Sequence, residues 1–174
     1  MSAELIFGGA RSGKSALAER RAANSGLEVI YIATAAAGDE EMTQRIAHHR
    51  QRRPGEWRTV EEPVQLAAAL RTEASPQRCL LVDCLTLWLS NLLLGAGLEP
   101  ERSRLLETLA ILPGRIILVS NEVGWGIVPM NELSRRFSDE QGRLNQAVAS
   151  VCDRVTLVAA GLPLELKQDL AGPA

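Results

Sequence analysis

The chain alternates short apolar runs with longer runs of helical spacing. Glu4-Leu5-Ile6-Phe7 is a short, largely apolar run, and after a glycine-rich stretch a helical run continues to Asn24. Val29-Ile30-Tyr31-Ile32-Ala33, Cys79-Leu80-Leu81-Val82-Asp83, Arg115-Ile116-Ile117-Leu118-Val119-Ser120 and Val155-Thr156-Leu157-Val158-Ala159 are further apolar runs, the first rich in β-branched residues. Unrelieved runs of this kind predict parallel strands covered on both faces. Between them, Asp39 suits a helix N-cap, with Met42 and Ile46 on one face of a helix that ends before Pro54-Gly55. Trp57 to Glu61 reads as a short strand, and Pro63 opens a helix from Val64 to about Glu73. Leu85 to Leu94 predicts a helix buried on most sides. Gly95 to Pro100 breaks the chain, Glu101 to Ile111 is amphipathic, and a long helix covers Glu132 to Cys152. Gly161-Leu162-Pro163 turns into a last short strand, Leu164 to Lys167, and Gln168 to Ala174 reads as a loose tail.

This alternation predicts one domain over residues 1–174, an α/β fold of three layers on a mainly parallel sheet with a short C-terminal hairpin. Ligands on such sheets sit at the carboxyl ends of the strands. Gly8, Thr34, Asp83 and Asn121-Glu122 all fall at such ends and should therefore cluster.

The stretch Gly8-Gly9-Ala10-Arg11-Ser12-Gly13-Lys14-Ser15, between the first strand and the first helix, is G-x-x-x-x-G-K-S, the phosphate-binding loop. The chemistry needs these residue types. Glycines let the backbone turn tightly and bring its N–H groups against a triphosphate. The helix behind points its partially positive end at the same anion. Lys14 supplies a point charge for the β- and γ-phosphates, and the Ser15 hydroxyl is a natural Mg²⁺ ligand. The loop predicts that a nucleoside triphosphate binds, not what becomes of it.

Composition narrows the classes. With 46% hydrophobic residues among 174, the chain can bury about 70% of its unfolded surface. A net charge of −2 argues against a general nucleic-acid binder. The three cysteines, Cys79, Cys84 and Cys152, form no C-x-x-C pair and read as reduced thiols of a cytoplasmic protein. No signal peptide or membrane span is expected, since Met1 leads straight into the first strand and the longest apolar stretch is too short and interrupted.

Other candidates carry two readings each. Asp83 at a strand end suits a metal-supporting or ribose-binding carboxylate, or a helix cap. Glu122 suits a group that orients a nucleophile or binds substrate, or the partner of a nearby arginine. Trp125, in a loop with Gly124, Gly126 and Pro129, suits stacking on a large ligand, or a core plug. Arg45, His48, His49, Arg50, Arg52 and Arg53 form a basic run that is either a solvated helix face or a second phosphate clamp. Neighbours on a helix point about 100° apart, so only one of the two histidines can face a nucleotide. A neutral imidazole there is a competent nucleophile toward activated phosphorus. There is no G-x-S-x-G, H-E-x-x-H or H-R-D set, and no N-K-x-D-like guanine signature follows the fourth buried strand.

The loop Gly8 to Ser15, Tyr31-Ile32-Ala33-Thr34, Asp39 through Met42 leading to Arg45-Ile46-Ala47-His48-His49, Arg53-Pro54, Trp57, and Asn121-Glu122-Val123-Gly124-Trp125-Gly126-Ile127-Val128-Pro129 together resemble one family. It is the bifunctional adenosylcobinamide kinase/adenosylcobinamide-phosphate guanylyltransferase family of cobalamin biosynthesis, and the similarity runs to about Lys167. The resemblance implies a RecA-like phosphate-loop fold and a homotrimer. It implies phosphorylation of the aminopropanol hydroxyl of adenosylcobinamide from ATP or GTP with Mg²⁺. Transfer of GMP from GTP to that phosphate then follows through a GMP-histidine intermediate. The nucleophile matches His48. Nucleotide contacts match Gly8, Gly9, Ala10, Arg11, Ser12, Gly13, Lys14 and Ser15; Ala33, Thr34 and Ala35; His49, Arg50, Gln51 and Arg52; and Glu61 and Asp83. Some relatives carry Glu at the Asp83 position, and stacking by Trp125 is not a family rule. The rival readings are a monofunctional small-molecule kinase and a nucleotide-dependent switch without catalysis.

Overall fold

In a computed structural model, residues 2–35 and 54–168 are described. The elements run β1 (Ser2–Gly8), α1 (Lys14–Ala23), β2 (Glu28–Ala33), β3 (Arg58–Glu61), α2 (Leu66–Glu73), β4 (Arg78–Asp83), α3 (Leu85–Asn91) with a π-helical turn at Leu92–Ala96, α4 (Leu98–Leu109), β5 (Arg115–Asn121), α5 (Glu132–Val151), β6 (Arg154–Ala159) and β7 (Leu162–Gln168). The expected helix around Asp39 to Arg53 lies outside the described residues. No described helix is long and apolar enough to cross a membrane.

The strands form one seven-stranded sheet in the order β3-β2-β4-β5-β1-β6-β7. Every pairing is parallel except the antiparallel β6–β7 hairpin. From β1 the chain leaves for β2 on one side and later returns to β6 on the other. The crevice at the carboxyl end of β1 is therefore a topological switch point.

The two-residue period of the strands sorts their side chains to two faces. Leu5, Ile32, Leu80, Val82, Ile116 and Leu118 belong to a core that includes Trp88 and Leu89 of α3, Leu105 of α4 and Leu144 of α5. Ile6, Tyr31, Leu81, Ile117 and Val119 belong to a second core with Leu17, Ala18 and Ala22 of α1. Central strands are thus apolar on both faces, as the unrelieved runs predict. Glu4 is the exception in β1. It is buried, on the α1 face, and paired with Arg21 of α1 and with Arg115 at 3.3 Å. Arg21 also donates to Thr156 Oγ1 at 2.9 Å. This ion-paired cluster fixes the C-terminal end of α1 against the amino end of the sheet, and so holds its N-terminal end at the opposite edge.

Several boundaries differ from the sequence reading, each for a local reason. The helix expected from Val64 begins at Leu66, because the Glu62 carboxylate accepts from the N–H groups of Val64 (2.9 Å) and Gln65 (2.7 Å) and caps a turn there. The helix placed from Glu101 begins at Leu98, since Pro100 falls in a first turn, where a missing N–H costs nothing. β7 runs from Leu162 through Gln168 and pairs Gln168 with Arg154, one residue into the expected tail.

Trp88 is fully buried and its indole N–H donates to the Val64 carbonyl at 2.8 Å, joining α3 to the turn before α2. Trp88→Ala is expected to lower the unfolding free energy by about 3–5 kcal/mol in denaturant titration; a loss under about 1 kcal/mol would contradict this packing.

Candidate nucleotide site

β1 ends at Gly8 and α1 begins at Lys14, so the phosphate-binding loop occupies the switch point. A Cβ on Gly8 would lie 2.3 Å from the Val158 carbonyl oxygen and 2.8 Å from Ser12 Oγ, an approach that only glycine permits. Gly13, the residue before α1, has φ 96°, in the left-handed region. The loop is tied down on three sides. The Ser12 N–H donates to the Gly9 carbonyl (3.3 Å), the Gly161 N–H to the Ser12 carbonyl (2.8 Å), and the Glu122 N–H to the Gly8 carbonyl (3.0 Å). Ser12 Oγ is buried inside the loop with no hydrogen-bond partner.

Lys14 Nζ donates to the Gly9 carbonyl at 3.1 Å. Its burial pulls the ammonium pKa below the ordinary lysine value, and the fields of Cys84 and Asp83 oppose that shift. An ammonium that is partly desolvated and forms no ion pair among the described residues is suited to a polyanion.

Register places the next candidates in one row. Ala33 of β2 pairs with Glu61 of β3 on one side and with Asp83 of β4 on the other. Asp83 faces α1, as Leu81 does, and its Oδ2 accepts from the Tyr31 hydroxyl at 2.8 Å. That bond fixes the carboxylate's orientation and engages one of its two oxygens. Thr34 is fully buried and committed to the fold. Its hydroxyl donates to the Cys84 carbonyl (2.7 Å) and accepts from the Cys84 N–H (2.9 Å), and its N–H reaches the Asp83 carbonyl at 3.4 Å. Asn91 then donates to the carbonyls of Thr34 (2.9 Å) and Pro63 (3.0 Å). Thr34 thus positions Asp83. Cys84 is no rival nucleophile, because burial first and the Asp83 charge second push its thiol pKa up to about 11.

On the other side of the loop, the Glu122 carboxylate accepts from the Gly124 N–H at 2.6 Å. Among the described residues its side-chain partner is its own loop and not an arginine. Trp125 is 74% exposed, so it does not plug the core, and Ile127 and Met130 beside it are each 97% exposed. The site thus carries an exposed apolar rim. His48, His49, Arg50, Gln51 and Arg52 lie outside the described residues, as does the rest of the basic run. The residues that sequence reasoning missed are Tyr31 as the partner of Asp83, Thr86 and Asn91. Tyr31 carried one signal, as the single hydroxyl-bearing side chain in an otherwise apolar strand.

The donor chemistry fits Mg²⁺. Ser15, in the first turn of α1, and Asp83 offer oxygen ligands. Among the described residues no group of three or more His, Cys, Asp or Glu could form a protein cage for a metal. A cation that keeps its waters and takes its other ligands from phosphate oxygens suits such a place.

A glycine-rich loop between the central strand and a helix, on a mostly parallel sheet with an antiparallel C-terminal hairpin, defines a RecA-like phosphate-loop nucleotide-binding protein. Two solved structures share this fold: the flagellar accessory protein FlaH from Methanocaldococcus jannaschii (TM-score 0.57, 15% identity, 99% of this chain and 81% of that one) and the RadB recombinase (TM-score 0.54, 19% identity, 90% and 73%). The chain belongs to the cobinamide kinase/cobinamide phosphate guanyltransferase family, whose model matches residues 4–166. The bifunctional adenosylcobalamin biosynthesis protein CobP of Pseudomonas aeruginosa is 66% identical over 167 residues, covering 94% of this chain and 96% of that protein. CobU of Escherichia coli, described in the same words, is 38% identical over 179 residues, covering 94% and 98%.

Gly8→Ala must displace either the Val158 carbonyl or the loop. It is expected to cost about 1–3 kcal/mol of stability and to abolish triphosphate binding in calorimetry. Unchanged affinity would mean that the loop's seating does not shape the site.

Proposed function

We propose that the whole chain acts as one catalytic domain that phosphorylates adenosylcobinamide from ATP or GTP and then transfers GMP from GTP to the resulting phosphate. The observation that carries this reading is the phosphate-binding loop seated at the switch point, with Lys14 and Asp83 on the same face of the sheet, in a chain of this family. The contacts assigned to Gly8–Ser15, Ala33–Ala35, Glu61 and Asp83 belong to the same proposal and are supported by their shared edge. Thr34 acts in it through the Asp83 backbone.

In the kinase step the loop N–H groups and the N-terminal end of α1 hold the phosphates, and Lys14 offsets charge developing on the transferred group. Ser15 and the Asp83 oxygen not engaged by Tyr31 would hold Mg²⁺, which when bound neutralises phosphate charge and orients the chain of phosphates. The hydroxyl of the substrate forms a bond to the γ-phosphorus as the β–γ bridge breaks. In the guanylyl step a neutral imidazole nitrogen of His48 attacks the α-phosphorus, the α–β bridge breaks and pyrophosphate leaves. The substrate phosphate oxygen then displaces the imidazole. His49, Arg50, Gln51 and Arg52 are assigned to nucleotide contact in this scheme. The exposed rim of Trp125, Ile127, Val128 and Met130 supports contact with a large, partly apolar substrate beside Glu122. A homotrimer and a cytoplasmic location complete the reading and rest on the family resemblance.

Mg²⁺ and GTP labelled at the α-phosphate test the histidine directly. Wild type and His49→Ala are expected to take up label in an acid-labile, alkali-stable bond. His48→Ala is expected to take up none while retaining much of its kinase turnover. Labelled His48→Ala with unlabelled His49→Ala would move the nucleophile to His49; label in both would exclude this mechanism.

A further inference from the structure

Asn121 ends β5, and everything around its side chain is tied. Its N–H donates to Thr86 Oγ1 at 2.8 Å, and its carbonyl accepts from Asn145 Nδ2 at 3.0 Å. Asn145 is itself held. Its Oδ1 accepts from Ser120 Oγ at 2.6 Å and from Gln141 Nε2 at 3.0 Å, all within the buried interface of β5 and α5. Two buried amides and two hydroxyls thus fix the backbone at one strand end. The next residue is fixed as well, through the Glu122 N–H on the Gly8 carbonyl.

The side chain of Asn121 is left out of this network. Its Oδ1 is buried and has no hydrogen-bond partner. An unmatched buried acceptor costs about 1–3 kcal/mol, and such a group calls for a ligand or a functional role. The period of β5 says where the side chain goes. Ile116 and Leu118 share the core with α5, and Ser120, in phase with them, meets Gln141 and Asn145. Ile117 and Val119 share the core with α1. Asn121, in phase with those two, therefore lies on the α1 face, as Asp83 does. Register completes the placement: Asn121 pairs with Gly8 on β1, while Asp83 pairs with Val119 on the other side of β5. Asn121 thus stands between the first residue of the phosphate-binding loop and the strand that carries Asp83, beyond the carboxylate and on the same face.

We propose that Asn121 is a further catalytic residue of the phosphoryl-transfer step, its side-chain amide bonding the terminal phosphate and the hydroxyl that attacks it. The inference rests on the kinase reading above. The amide is dipolar and carries no charge, so one end donates to a phosphate oxygen while the other accepts from the incoming hydroxyl. It takes no proton. The hydroxyl oxygen bonds the γ-phosphorus, the electron pair of the β–γ bridge leaves with the nucleoside diphosphate, and the hydroxyl proton is lost to water. The network through Thr86, Asn145, Ser120 and Gln141 fixes the backbone that carries the amide, and no hydrogen bond of Oδ1 has to break when the side chain turns to the ligand.

The test uses Asn121→Ala and the volume-preserving Asn121→Leu in the full chain, with ATP, Mg²⁺ and adenosylcobinamide. Because the side-chain Oδ1 is a buried acceptor without a partner in the free protein, the melting temperature without ligand is expected to hold or rise. Nucleotide affinity by calorimetry is expected to stay within about threefold, because the lost contact is made chiefly in the transition state. Single-turnover phosphoryl transfer is expected to fall by about 100-fold or more. Transfer within about threefold of wild type would overturn the proposal, as would a loss of transfer matched by losses of melting temperature and nucleotide affinity, which marks a structural role. A wild-type chain that binds ATP but phosphorylates no cobinamide would overturn the kinase reading beneath it.

Discussion

The site depends on one steric constraint, the absence of a side chain at Gly8. β1 is a central strand, and Gly8 comes so close to the β6 backbone that a Cβ would lie 2.3 Å from the Val158 oxygen. With that approach allowed, the loop beyond is clamped by Gly161 on the β6–β7 side and by Glu122 on the β5 side. The hairpin is thus a wall of the nucleotide site as well as an edge of the sheet. At the far end of α1, the buried Glu4–Arg21 pair sets the helix against the sheet. A buried pair of this sort contributes little net stability, and its value lies in the orientation it imposes. Here it fixes the axis along which the helix dipole meets a phosphate.

A second layer of constraint acts on the polar groups at the carboxyl edge. Thr34 and Asn91 hold the backbone around Asp83, and Tyr31 holds its carboxylate. Thr86 and Asn145 hold the backbone of Asn121. In each case a hydrogen-bonded side chain fixes a neighbour that keeps an atom free for ligand. This division between positioning and contacting groups keeps charge stabilisation pre-organised in a partly desolvated crevice.

Much of this was legible in the chain itself. Unrelieved apolar runs marked the central strands because both faces are covered, and the loop motif lay between strand and helix where its chemistry requires. Shared placement at carboxyl ends predicted that Gly8, Thr34, Asp83 and Asn121-Glu122 would cluster, and topology brings them together. Most of what escaped was set by tertiary pairing. The cap that delays α2 to Leu66 is local, but it uses Glu62 where Ser, Thr, Asp or Asn is the usual signal. Thr34 reads as a ligand contact until its hydroxyl is seen closing on Cys84. The amides Gln141 and Asn145 did leave a trace. They stand in the stripe of buried Leu144 and Val148 on α5, and polar residues at core positions of an amphipathic helix point to a buried network. The core-plug reading of Trp125 was excluded by its exposure, which no local pattern encodes.

The central claim is that a triphosphate held by the loop between β1 and α1 is the phosphoryl donor. Lys14→Ala removes the one cation of the loop's G-K-S end and leaves Gly8, Gly13 and the loop's backbone ties in place. A charge-assisted, partly desolvated contact of that kind contributes about 2–4 kcal/mol. Initial-rate measurement of adenosylcobinamide phosphorylation should therefore show turnover reduced by about 30-fold to almost 1,000-fold, with the ligand-free melting temperature nearly unchanged. Near-normal turnover in Lys14→Ala would contradict the claim.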